Sequence, residues 1–140
     1  MTDHRVFSLP TRVYWEDTDA GGVVYHAQYL AFLERARTEW LRAQGLGQEA
    51  LRAEHDLVFV VRDMQIDFRK PAKLDDLLDV RAELRECRRA SFVFAQSILR
   101  DGAVLVTATV RAAAVRASAF TPVAIPETLH RQLKALEVSE

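Results

Sequence analysis

A single cysteine, Cys87, leaves the 140-residue chain unable to close an internal disulfide, so a reducing, cytoplasmic compartment is the expectation. Cys87 sits in Arg-Glu-Cys-Arg-Arg, where Arg88 and Arg89 favour a thiolate. A nucleophilic thiol also needs a base, and no histidine is near it in sequence. Basic charge is not in excess either: 19 Lys and Arg face 20 Asp and Glu, for a net charge of −1. That balance argues against a general nucleic-acid or polyanion binder, and no nucleic-acid partner is expected. Long apolar runs are missing too. The longest apolar region, Ala103 to Val115, is broken by Thr107, Thr109 and Arg111. It is too short and too polar to cross a bilayer. The opening MTDHRVFSLPTRV holds no apolar h-region, so neither a signal peptide nor a transmembrane segment is expected. There is no internal repeat and no low-complexity segment.

What the chain does have is core material. Hydrophobic residues make up 49%, enough for one compact domain over residues 1–140. Val6 to Trp15 reads as a strand interrupted near Pro10. A helix fits from Ala27 to Gln44, because Tyr29, Leu33, Ala36 and Trp40 recur at helical spacing on one stripe. At 1.5 Å per residue such a helix is about 27 Å long. Gly45 suits its C-terminal stop, and a short second helix fits Gly47 to Glu54. The period then changes to two. Met64, Ile66 and Phe68 alternate with acids and Gln65, and Leu78, Val80, Ala82 and Leu84 alternate with Asp79, Arg81 and Glu83. Cys87 to Ala90 reads as a connection, and Ser91 to Leu99 as a further strand. Asp101-Gly102 is a two-residue hairpin signal leading into a long interior strand, Ala103 to Val115. Pro126 to Leu136 fits a C-terminal helix. Strands joined by hairpins make an antiparallel sheet, and one helix must bury its stripe against it. The expectation is an α+β fold, a five-stranded antiparallel sheet wrapped round a long central helix. Phe92, Phe94 and Leu99 are expected on its outer face, where they predict self-association.

The stretch EDTDAGGVVYHAQYLAFLERARTEWL, Glu16 to Leu41, carries the chemistry. Asp17-Thr18-Asp19 starts like a calcium loop. The twelfth position, however, is Gln28 rather than Glu, and no helix precedes the loop. Asp17, Asp19 and His26 lack an evident fourth ligand for a transition metal, so no metal is expected. Gly21-Gly22 has neither phosphate-loop spacing, and no serine sits in an elbow motif. A carboxylate reading remains beside the plain one of turn and capping chemistry. The glycines let the backbone approach a ligand. The following helix begins with unpaired N–H groups that can polarise a carbonyl. A carboxylate opposite can attack that carbonyl or activate water. This suits acyl transfer to water without a metal, a cofactor or a serine.

Tyr14 to His26, followed by Tyr29 and Glu34-Arg35-Ala36-Arg37, resembles the YbgC-type acyl-CoA thioesterases. These form part of the 4-hydroxybenzoyl-CoA thioesterase branch of the hotdog superfamily. Phe59-Val60-Val61-Arg62, Pro71-Ala72-Lys73-Leu74-Asp75-Asp76 and Ser91-Phe92-Val93-Phe94 extend the resemblance over nearly the whole chain. It implies a hotdog fold and an acyl-CoA thioesterase. Asp19 matches the catalytic carboxylate, as general base or as nucleophile. His26 matches the histidine at the helix entrance, with its backbone N–H facing the thioester carbonyl. Gly22, Val23, Tyr25 and Val61 are implied as substrate contacts, and Arg62, Arg88, Arg89 and Ser91 as the CoA phosphate set. The alternative for the arginines is an ordinary solvated hairpin. Many relatives carry Tyr at the position of Trp15, so any hydroxyl role there is lost. Aryl-specific relatives lack the histidine at His26, which favours an aliphatic acyl group. The resemblance further implies a site shared across a homodimer or homotetramer, acyl carrier protein as an alternative carrier, and a link to an envelope-associated Tol–Pal system. The rival functions are a non-catalytic acyl-thioester or carrier-protein binding module and a hotdog hydratase.

Overall fold

The computed structural model describes residues 5–138. Five strands form one antiparallel sheet in the order β1-β3-β4-β5-β2. They are β1 (Phe7–Arg12), β2 (Leu57–Phe68), β3 (Leu77–Cys87), β4 (Ser91–Arg100) and β5 (Ala103–Arg116). Three α-helices accompany them: α1 (His26–Ala43), α2 (Gln48–His55) and α3 (Glu127–Lys134). A short 3-10 turn, Trp15–Asp17, follows β1. Cys87 closes β3 rather than opening the connection after it.

Local chemistry sets the boundaries. At the end of α1, Gly45 takes a φ of +77°. Its N–H bonds to the Arg42 carbonyl and the Leu46 N–H bonds to the Leu41 carbonyl, a Schellman stop that needs the left-handed conformation. Between β4 and β5, Asp101 and Gly102 both have positive φ, 51° and 81°. A two-residue turn with that twist matches the twist of the strands it joins.

The expected stripe of α1 is buried, and Phe32, Arg37 and Leu41 join it. Trp40 is fully buried and stands edge-on to Phe94 at 5.1 Å. Phe94 in turn meets Phe92, and Phe92 meets Phe59 at 4.7 Å. Phe92 and Phe94 therefore lie inside, against the helix, and Leu99 is buried as well. This corrects the expected place of Phe92 and Phe94 on the outer face, whereas Leu99, which follows inward-facing Ile98 and pairs with Asp79, stays on that face. Along β4 the inner residues are Phe92, Phe94, Gln96 and Ile98, each buried. Cross-strand partners of that row, Ala112, Val110, Ala108 and Val106, are buried too. The outer face presents small and polar groups in its place, with Ala95 paired to Thr109 and Ser97 to Thr107.

One polar pair is sealed in this core. Arg37 donates through Nη1 to Gln96 Oε1 at 2.9 Å, and Gln96 Nε2 donates to the Leu33 carbonyl at 3.1 Å. Burial lowers the Arg37 pKa, against the raising influence of Glu34. Arg37 thus bonds to the sheet rather than pairing simply with Glu34 along the helix.

The two sheet edges differ. β1 carries Pro10 and pairs only with β3, as suits an edge. β2 is a 12-residue strand without proline that pairs only with β5. Among the described residues no helix is long and apolar enough to cross a membrane. Replacing Trp40 by Ala removes the ring that locks α1 to β4. Denaturant unfolding should show a loss of about 3–5 kcal/mol. A loss below about 1 kcal/mol would mean that the site collapses to fill the gap.

Candidate active site

The site is a tight loop between the 3-10 turn and α1. Asp17 is buried and turned inward, where its Oδ2 accepts the Tyr14 N–H at 2.8 Å. Its carbonyl accepts the Tyr25 N–H at 2.9 Å. Asp17 is the brace of the loop. Asp19, two residues on, is exposed. Its Oδ1 accepts the Gly21 N–H at 2.8 Å, which leaves Oδ2 for other partners. Asp17 and Asp19 are thus held by different backbone amides.

The loop closes on itself through Asp19 N–H to the Val23 carbonyl and Gly22 N–H to the Asp19 carbonyl. Gly22 has a φ of +79°, which a side chain rarely adopts without strain. Helix α1 then begins at His26, with Tyr25 as its N-cap and no side-chain cap. Among the described residues the N–H groups of His26 and Ala27 bond to no other group. They are the orphan donors of a helix start, and they point along the positive end of its dipole. The Tyr25 and His26 rings lie 4.5 Å apart, both residues exposed. Trp15 is 81% exposed on the preceding turn.

The loop is not free-standing. Val24 N–H donates to the Ala72 carbonyl at 2.9 Å, and Val23 bridges to Lys73. Ala72 N–H donates to the Tyr29 hydroxyl at 2.9 Å. Tyr29 is buried, as expected for a core residue, and packs against Phe68 at 5.6 Å. Burial pushes the Tyr29 phenol pKa up, opposed by the Ala72 N–H and the charge of Arg100. The charges of Asp76 and Asp19 push it up further. The motif Pro71 to Asp76 is therefore part of the site's support. The sequence shows its residues but gives no sign that Ala72 joins the loop to the helix.

The remaining candidates gather elsewhere. Val61 and Arg62 are exposed on β2, where the register slips between Val61 and Asp63. Arg88 and Arg89 are exposed in the β3–β4 connection, and Arg88 pairs with Glu86. Ser91 opens β4 and pairs with Ala113, which also pairs with Val60. So Val61, Arg62, Arg88, Arg89 and Ser91 share one end of the sheet. Asp19 lies at the other, near Phe68. Arg62 and Phe68 are about 20 Å apart along β2. Within one chain the arginines and the carboxylate do not meet. Cys87 is buried beside Glu137 and Lys134. Burial, aided by the Glu137 charge, pushes its thiol up to about 11, which keeps it protonated at neutral pH and unsuited to attack.

An antiparallel sheet crossed by one long helix, with a carboxylate at the helix mouth, defines the class. The profile of the thioesterase-like superfamily matches residues 13–133, and the chain belongs to that superfamily, on the hotdog fold. Within it the chain is of the YbgC type. The acyl-CoA thioesterase YbgC of Haemophilus influenzae is 51% identical over 121 residues, covering 86% of this chain and 89% of that one. The acyl-CoA thioester hydrolase YbgC of Escherichia coli is 45% identical over 130 residues, covering 92% and 96%. The crystal structure of a probable thioesterase from Bartonella henselae superposes with a TM-score of 0.82 at 40% identity, covering 86% and 99%.

The loop geometry can be probed at a glycine. A Cβ on Gly21 would lie 3.1 Å from Asp19 Oδ1, so the carboxylate must shift slightly to admit it. Gly21→Ala should cut thioester turnover while leaving the thermal midpoint within a few degrees, about 1 kcal/mol or less of stability. Unchanged turnover would show that turnover does not depend on the Asp19 orientation set by Gly21.

Proposed function

We propose that the chain hydrolyses an aliphatic acyl-CoA thioester to the free acid and CoA, with Asp19 as the catalytic carboxylate. The observation that carries this is the exposed Asp19 carboxylate held by Gly21 N–H at the mouth of α1. The names and closeness of the YbgC relatives support the substrate class. The thioester carbonyl would lie against the His26 end of α1. Its oxygen gains negative charge as the carbon turns tetrahedral, and the free helix N–H groups favour that charge. As general base, Asp19 takes a proton from water while the water oxygen bonds to the carbonyl carbon. The tetrahedral intermediate then collapses, the carbon–sulfur bond breaks, and the thiolate of CoA takes up the proton. As nucleophile, Asp19 itself bonds to that carbon and expels the thiolate, and water then cleaves the mixed anhydride. Label from ¹⁸O water in the Asp19 carboxylate after a single turnover would establish the second route, because only a mixed anhydride cleaved on its Asp19 side places it there. The His26 side chain orients water or the carboxylate. The acyl group is delivered on CoA or on acyl carrier protein, to a single domain working in the cytoplasm beside envelope lipid metabolism.

The working unit is a homodimer formed through the free edge of β2, or a homotetramer of two such dimers. An unpaired strand edge is a template for another strand. Exposed Val61 and Phe68 lie on that strand, and exposed Tyr25 and Leu30 lie at the start of α1. Antiparallel pairing of β2 with its copy carries the Val61 end of one chain toward the Phe68 end of the other. Val61 and Arg62 of the partner subunit, with the arginines of its β3–β4 connection, then approach the Asp19 loop, and Gly22, Val23 and Tyr25 complete the contact with the pantetheine arm.

The test is free-thiol release from short and long aliphatic acyl-CoAs and one aryl-CoA. Asp19→Asn should lower kcat/KM by about 10²–10⁴-fold with the fold intact. Saturable binding without thiol release from wild type would leave a non-catalytic binding module, and addition of water to an enoyl-CoA would point to a hydratase. For the assembly, sedimentation of wild type should give a multiple of the 15.9 kDa chain, and Val61→Asp should give monomers with little turnover. A monomeric, active wild type would remove the shared site.

A further inference from the structure

Eight residues, 69–76, join β2 to β3 and cross the ends of β5 and β4 on the way. Arg69 and Lys70 N–H groups both donate to the Leu105 carbonyl on β5. At the far end, Val13 N–H donates to the Asp76 carbonyl and Asp75 N–H to the Val13 carbonyl. The connection is a strap across the end of the sheet, and its middle residue for the site is Ala72. That residue, fully buried, bonds with its carbonyl to Val24 and with its N–H to the Tyr29 hydroxyl. The Asp19 loop and the first turn of α1 thus meet at one residue.

The residues on either side of Ala72 are held by a single ion pair. Arg100, at the end of β4, donates through Nη1 to Asp76 Oδ2 at 2.6 Å and reaches the Pro71 carbonyl at 3.3 Å. The same Asp76 oxygen accepts the Lys73 N–H at 2.8 Å. Pro71 carbonyl, Arg100, Asp76 carboxylate and Lys73 N–H form a closed ring with Ala72 inside it. Burial works against ionisation of Asp76, but the Lys73 N–H, the Arg100 bond and the charges of Arg100 and Lys73 outweigh it and hold the carboxyl below its usual range. The pair is therefore charged throughout the neutral range.

We propose that Arg100, through its ion pair with Asp76, is a positioning residue for the Asp19 loop: it fixes the Pro71–Lys73 backbone, and with it the bond from Val24 to Ala72. The effect on turnover rests on the proposed role of Asp19, while the effect on the loop does not. Arg100 touches no reacting atom. It acts by holding still the peptide on which the loop hangs, and small misplacements of a catalytic group cost rate rather than binding.

Four variants test this beside wild type and Asp19→Asn: Arg100→Gln, Arg100→Lys, Asp76→Asn, and Arg81→Gln as a control that breaks the Arg81–Asp79 pair on β3. Hydrogen exchange at the Val24 and Ala72 amides is read together with kcat, KM and the thermal midpoint. Arg100→Gln and Asp76→Asn should speed exchange at Val24 and Ala72 with the β4 and β5 amides unchanged. They should lower kcat between about 10- and 100-fold with KM changed far less. Arg100→Lys should recover part of both effects, and Arg81→Gln should show neither. Val24 exchange and kcat both at wild-type levels in Arg100→Gln would overturn the proposal. So would losses that only follow the fall in thermal midpoint. If wild type shows no turnover dependent on Asp19, the reading of the reaction fails, and the Val24 exchange arm alone decides whether Arg100 holds the loop.

Discussion

The apolar face of α1 has one place to be buried, and most of the structure follows from that. Trp40, Leu33, Phe32 and Tyr29 are all withdrawn from water, and four such side chains together outweigh any local preference of the chain. The edge-on contact of Trp40 with Phe94 fixes the helix against the middle strand of the sheet. Helix length then fixes the rest. From Trp40 back to His26 is about 21 Å of helix, which carries the helix mouth to the end of the sheet where β2 stops at Phe68. Tyr29, one turn in from the mouth, meets Phe68 there. The place of the site is thus set by core packing at the opposite end of the helix.

Strand order imposes the next step. β2 and β3 are consecutive in the chain but separated by β5 and β4 in the sheet. Their connection has to travel about 14 Å across the sheet end, directly beneath the mouth of α1. A backbone crossing there has polar groups to satisfy. Leu105, Val13, Tyr29, Val24 and Arg100 supply the partners. The Asp19 loop is tied to the strap because two of these partners, the Val24 N–H and the Tyr29 hydroxyl, belong to the loop and to α1. Asp17 braces the loop from its other side by taking the Tyr14 N–H. Two carboxylates so close in sequence thereby separate in role, one committed to the backbone and one left exposed.

Features decided by neighbours in sequence are legible in the sequence itself. The helix from Ala27, the Gly45 stop and the Asp101-Gly102 turn depend on local conformation, and they stand within a residue of the expected places. The side of the sheet taken by Phe92 and Phe94 was not legible. Gln96 interrupts the row of Phe92, Phe94 and Ile98, and Val93 and Leu99 stand on the other face, so the alternation of Ser91 to Leu99 is blurred and does not by itself name the face that meets the helix. Arg37 and Gln96 lie 59 residues apart and Arg100 and Asp76 lie 24 apart. No spacing rule links them, because only the folded sheet brings them together. The Asp19 loop was readable as a carboxylate beside a helix start through its glycines. Its attachment at Ala72 was hidden, since the bonding groups there are a main-chain carbonyl and N–H that any residue carries.

The remaining asymmetry lies in what surrounds Asp19. An exposed carboxylate in open water is a poor base, and excluding water around it strengthens every interaction it makes. Within one chain the loop is backed by the strap and α1, but Trp15, Tyr25 and the free helix N–H groups face outward. Arg62, the arginine of the expected carrier set on β2, stands about 20 Å away along that strand. The sheet is blunted by Pro10 on its β1 edge and left open along all of β2. A strand edge that long is a hazard unless something covers it. The proposed second copy, laid antiparallel on β2, would answer three needs with one contact, closing the edge, shielding the helix mouth and bringing further basic charge to it. Were the working unit a lone chain, each of the three would need its own separate explanation.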